Sequence, residues 1–81
     1  MQAEKKLSDV PLGRPCTIQS LNAHPETCQQ LRDMGFRDRT IVCIVVRTAS
    51  HIICELHNTR VGISNRIAGN ILVLPIGSQK N

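Results

Sequence analysis

His51, Cys54 and His57 stand close together near the middle of the chain, and His24 and Cys28 lie four residues apart further upstream. Imidazole and thiol are the side chains that most readily hold a transition metal, so the element that carries them decides what they can do. "HIICELH" (His51 to His57) alternates polar and apolar residues, which is the period of a strand. On a strand Cys54 points away from the face that His51 and His57 share. The two histidines are six residues apart, about 20 Å along an extended chain, too far for one ion within one chain. His24 and Cys28 have helical i,i+4 spacing, but Cys28 belongs to an apolar face. His24, His51 and His57 are therefore weak metal candidates, for Fe2+ or Zn2+ at a surface site or one shared between chains. The carboxylates Asp9, Glu26, Asp33, Asp38 and Glu55 are scattered without acid/base pairing. No phosphate loop, elbow serine or Cys/His nucleophile accompanies them. The sequence thus points away from an enzyme.

The remaining chemistry is positive charge. Ten Lys and Arg against six Asp and Glu give +4; with Lys5, Lys6 and Lys80 in the presumed tails, seven arginines stay in the body. Such an excess favours nucleic acid, acidic lipid or an acidic protein without choosing among them. Cys16, Cys28, Cys43 and Cys54 each fall in or beside an apolar pattern, and no CxxC pair occurs. They read as reduced, core-filling thiols. "MQAEKKLSDVPLG" has no apolar stretch like that of a secretory signal, and no apolar run approaches the roughly 20 residues of a membrane span. A cytoplasmic location is the expectation.

The elements that position these groups are short. Residues 1–6 and 76–81 read as tails around one domain at 7–75. "VPLG" is a turn, and "RPCTIQSL" (Arg14 to Leu21) is a first strand with Cys16 and Ile18 on one face. In "NAHPETCQQLRDMGF", Pro25 fits the first helical position and Cys28, Leu31 and Met34 recur on one side. Gly35 supplies the left-handed residue that ends the helix, and Phe36, the single aromatic, folds back onto Leu31 in a Schellman ending. "TIVCIVVRT" (Thr40 to Thr48) is apolar on both faces, as a strand covered from two sides would be. His51–His57 and Arg60–Ser64 make a hairpin about Asn58 and Thr59, with Val61 and Ile63 inward. "NRIAGN" is a turn or a single helical turn, and "ILVLP" closes the fold. The expected class is mainly β: a small SH3-like barrel of about five strands with one short inserted helix, closed so that no sheet edge is left open.

"LRDMGF", a short gap, an apolar strand, a hairpin and then "VGISNRIAGNILV" resemble the ferrous iron transport protein A (FeoA) family of small SH3-like barrels. Leu31, Met34, Gly35, Phe36, Val61, Ile63, Ala68, Ile71 and Val73 match its pattern in order, over Leu7 to Leu74. These are core and turn residues, so they carry a fold better than a mechanism. The same module resembles the C-terminal domain of metal-dependent repressors of the diphtheria toxin repressor type. Two positions depart from the family, Arg39 and Asn58, where glycine is usual. Asn58 suits a left-handed turn; Arg39 does not, which implies a reshaped turn that displays its charge.

The resemblance implies a cytosolic accessory factor of bacterial iron homeostasis. It would dock on ferrous iron transport protein B, the membrane permease with a G-protein-like domain, and so sit peripheral to the inner membrane. Arg37, Arg39 and Ile53 are the candidate partner-binding residues, two charges flanking an unusual turn and one apolar residue on the outward face. The alternatives are a small basic β-barrel that binds nucleic acid, with Arg37, Arg39, Arg47, Arg60 and Arg66 tracking phosphates, or a metal-responsive SH3-like interaction domain. Against the first stands the lack of Trp and Tyr, since such modules stack bases on exposed aromatics. A homo-oligomer stays open.

Overall fold

The computed structural model describes residues 4–76. Six strands, β1 (Lys5–Lys6), β2 (Cys16–Leu21), β3 (Ile41–Arg47), β4 (His51–Leu56), β5 (Thr59–Ser64) and β6 (Ile71–Pro75), form one antiparallel sheet in the order β1-β6-β2-β3-β4-β5. A 3-10 turn spans Leu7–Asp9, helix α1 spans Pro25–Asp33 and a one-turn helix α2 spans Asn65–Ala68. The sheet rolls around a single core that includes Leu7, Val10, Ile18, Phe36, Ile44 and Ile71, all fully buried. Register shifts between Ile18 and Ser20 and between Ile44 and Val46 supply local bends. This is the architecture of a small SH3-like barrel.

Several expectations need correction. Lys5 and Lys6, read as tail, pair with Val73 and Leu72. Ile76, also assigned to a tail, donates its N–H to the Pro15 carbonyl at 2.9 Å. The remaining tail positions, 1–3 and 77–81, lie outside the described residues. β3 is not covered on both sides, because Ile41 is 57% and Val46 40% exposed. One rolled sheet has one interior, so β-branched residues on its other face meet solvent. Roll-up also leaves edges open. β1 and β5 end the strand order without pairing with each other, so closure by hydrogen bonds is incomplete.

The hairpin turn lies one residue earlier than the sequence suggested. His57 (φ 53°) and Asn58 (φ 62°) are its two left-handed residues, and Leu56 faces Thr59. Two consecutive positive φ values match the right-handed twist of the flanking strands. The "NRIAGN" segment is a helical turn, capped by the Ser64 hydroxyl, which accepts from the Ile67 N–H at 3.1 Å.

Candidate docking surface

The loop between α1 and β3 is fixed from both ends. At its start the Gly35 N–H donates to the Arg32 carbonyl (3.0 Å) and the Phe36 N–H to the Leu31 carbonyl (2.9 Å), with Gly35 at φ 110°. These are the two bonds of a Schellman ending, and the Phe36 and Leu31 side chains both join the core. A Cβ on Gly35 would stand 3.0 Å from the Leu56 side chain, so the helix exit is pressed against the end of β4. Met34 departs from the expected buried face and is 38% exposed. Three residues advance a helix by about 300°, so two such steps leave Met34 about 120° round from Cys28.

The far end of the loop carries the candidate charges. Arg39 holds φ 68° and donates its N–H to the Ile18 carbonyl at 2.8 Å. The turn therefore keeps the conformation for which glycine is suited, and the expected reshaping does not occur. The Arg37 Nε donates to the Arg32 carbonyl at 3.2 Å, where a cation suits the negative end of a helix. Both side chains are exposed. Ile53 lies on the outer face of β4, half-buried, across from Gly62 on β5. Neighbouring outer positions on β3, namely Ile41, Cys43, Val45 and Val46, are half-buried to exposed.

The metal candidates do not converge. His51 and His57 stand at opposite ends of β4, His24 precedes α1, and Cys54 is buried beneath the outer face. The His51 Nδ1 lies 2.9 Å from the Ser50 hydroxyl, and His57 borders the helix exit at Gly35. Among the described residues no group of three or more His, Cys, Asp or Glu comes together to hold an ion. His24, His51 and His57 are thus not brought together into one seat for Fe2+ or Zn2+.

Cys16, Cys28, Cys43 and Cys54 carry free thiols. Burial, with Cys43 nearby as a lesser cause, pushes the Cys54 thiol up to about 12 and raises that of Cys16 as well. Cys28 turns its thiol onto the Ala23 and Leu21 carbonyls. For Cys16 and Cys54, burial thus disfavours the thiolate, the reactive and metal-binding form, and leaves them as packing material.

One concavity went unread in the sequence. A cleft of about 680 Å3 opens where the start of α1 meets α2, lined among others by Asn22, His24, Thr27, Ser64, Arg66 and Ile67. No carboxylate lines it. Its residues lie some 40 positions apart along the chain, and no short-range spacing could reveal them.

A family model for the FeoA domain matches residues 5–75, and no curated protein matches the sequence. Among solved structures, iron(II) transport protein A from Clostridium thermocellum is 29% identical over 88% of this chain and 45% of its own, with a TM-score of 0.82. FeoA from Stenotrophomonas maltophilia, complexed with zinc, is 22% identical over 90% of this chain and 88% of its own, at a TM-score of 0.73. A manganese-dependent transcriptional repressor is 16% identical over 94% of this chain and 44% of its own, at 0.84. The last two show a shared fold alone. No helix among the described residues is long and apolar enough to cross a membrane. With its match running from the first described strand to the last, the chain belongs to the FeoA domain family.

Proposed function

We propose that this chain is a cytoplasmic, non-enzymatic adaptor of bacterial ferrous iron uptake that docks on the cytosolic part of ferrous iron transport protein B. Family membership supports the ferrous iron role. The observation that carries the docking reading is Arg39. A non-glycine residue in a left-handed turn is uncommon, and this one is an exposed arginine two residues from the exposed Arg37. Strain kept at a surface position suits a side chain retained for contact rather than for folding. Ile53, on the outer sheet face opposite Val46 at the other end of β3, is a separate apolar candidate for contact. Iron is then the permease's cargo, and this chain acts by contact. The nucleic-acid alternative loses ground because the single aromatic ring, Phe36, is fully buried and offers no stacking platform.

Charge reversal of both arginines, Arg37→Glu with Arg39→Glu, tests the reading by capture of the permease and by denaturant unfolding of the free protein. We expect capture to weaken by about tenfold, equivalent to ~1.4 kcal/mol, with a loss of stability of no more than about 1 kcal/mol from the cation removed at the end of α1 and the fold retained. Undiminished capture by a folded variant removes these residues from the interface.

A further inference from the structure

The free edge of β5 points to a second contact. We propose that β5 accepts an extended segment of a protein partner as an added antiparallel strand, acidic opposite Arg60 and apolar opposite Gly62. β5 has six residues and, among the described residues, a single sheet neighbour, β4. In a two-residue hairpin the residues flanking the turn exchange hydrogen bonds, and bonded pairs then alternate with unbonded ones. Leu56–Thr59, Cys54–Val61 and Ile52–Ile63 are therefore the bonded pairs. Arg60 and Gly62 turn their N–H and C=O groups outward, and Ser64 its N–H, since as the N-cap of α2 its carbonyl serves the helix. No backbone bond elsewhere among the described residues takes up the N–H of Arg60 or Gly62, and both residues are exposed.

The opposite edge is treated differently. β1 is only two residues long, both lysines, a length and composition that discourage strand addition. β5 contains no proline and one charge, and its centre is a glycine whose missing side chain leaves the outer face of Ile53 uncovered. An apolar residue on an incoming strand, set opposite Gly62, would rest on Ile53. Main-chain bonds would give such a contact its affinity and the alternate side chains its selectivity.

Charge decides the occupant. Pairing two copies of β5 antiparallel about Gly62 would set Arg60 opposite Ser64 of the other copy, with that copy's Arg66 two residues further on. Arg60 and Arg66 would then place like charge on both sides of the seam with no carboxylate of β5 or α2 to offset it, which opposes association. No carboxylate lies on β5 or α2, and the cleft into which Ser64 leads is lined by Arg66 and His24. An acidic residue opposite Arg60 meets complementary charge there, on the side of Arg60 away from Glu55, which faces it on β4; Arg66 beyond the end of β5 and the net charge of +4 act in the same direction. The inference uses the docking reading only for the partner's protein nature.

The test uses the whole chain and the acetylated, amidated peptide Glu-Thr-Val-Thr-Glu, read by NMR of the protein's amides. The expected result is a saturable downfield shift and slowed hydrogen exchange at Arg60, Gly62 and Ser64, weakened by salt. The shift should vanish when lysine replaces both glutamates, when the peptide valine is N-methylated, and in Gly62→Pro, which keeps the fold because proline is tolerated on an edge with its nitrogen outward. Gly62→Ala should retain it, since a Cβ there meets only the Ile52 carbonyl at 3.9 Å. Should Gly62→Pro unfold, the N-methylated peptide still decides. Absence of a β5 response, shifts confined to Arg37 and Arg39, or self-association abolished by Gly62→Pro would each overturn the proposal. No permease enters the assay, so its outcome is independent of the capture experiment.

Discussion

Along β4 the side chains alternate between two surroundings. Ile52, Cys54 and Leu56 are buried, whereas His51 and Glu55 are exposed and Ile53 sits between the two conditions. The same alternation divides the whole molecule. Inside the roll lie residues that would be replaceable only by others of like volume, including the sole aromatic and three of the four cysteines. Outside lie arginines, an uncovered isoleucine and an unpaired strand edge. The difference teaches that the interior is committed to holding shape and that whatever recognises a partner must work from the rim.

The comparison can be broken most severely from within. Phe36→Ala removes the ring that joins the helix exit to the core and should destabilise the protein by ~3–5 kcal/mol, measured by denaturant unfolding. That is a large share of the stability of so small a domain. A loss below about 1 kcal/mol would show that the staple is dispensable.

An intermediate effect should appear at alkaline pH. The buried Cys54 thiol titrates near 12, against an ordinary value of 9.0, and that of Cys16 is raised too. Above pH 9 the unfolded chain releases these protons first, so the folded state holds more of them and stability falls as pH rises. The slope is at most ~1.4 kcal/mol per pH unit for each thiol. Between pH 9 and 12 the decline should be shallower in Cys54→Ala, measured relative to that variant's own stability at pH 7. An identical slope would mean that this thiol is not held protonated by its surroundings.

The smallest effect sharpens the outside half of the comparison. Arg39→Gly relieves a left-handed arginine while adding backbone freedom to the unfolded chain, so stability should change by no more than about 1 kcal/mol, with a gain expected. Permease capture by the same variant should decline. A gain in stability without loss of capture would leave the arginine without a role at the interface.

Much of the framework was legible because local chemistry specified it. Pro25, Gly35 and Phe36 marked the start and exit of α1 through the demands of helix ends, and those demands do not depend on the rest of the fold. The inward set on β4 followed from alternation alone. What escaped notice depended on distant partners. β1 is two lysines long and exists only because β6 lies beside it. The outer face of β3 is as apolar as a buried one, so its sequence does not distinguish one cover from two. The hairpin moved by a residue because His57 takes up a positive φ that its side chain does not advertise. Arg37, Arg39 and Ile53 were nameable as surface groups, whereas the cleft beside α2 and the open side of Gly62 required knowing which segments end up as neighbours.

Lys5 pairs with Val73, so the first and last strands of the described segment leave the barrel side by side. A unit whose entrance and exit adjoin can be spliced into another polypeptide without prising open its interior.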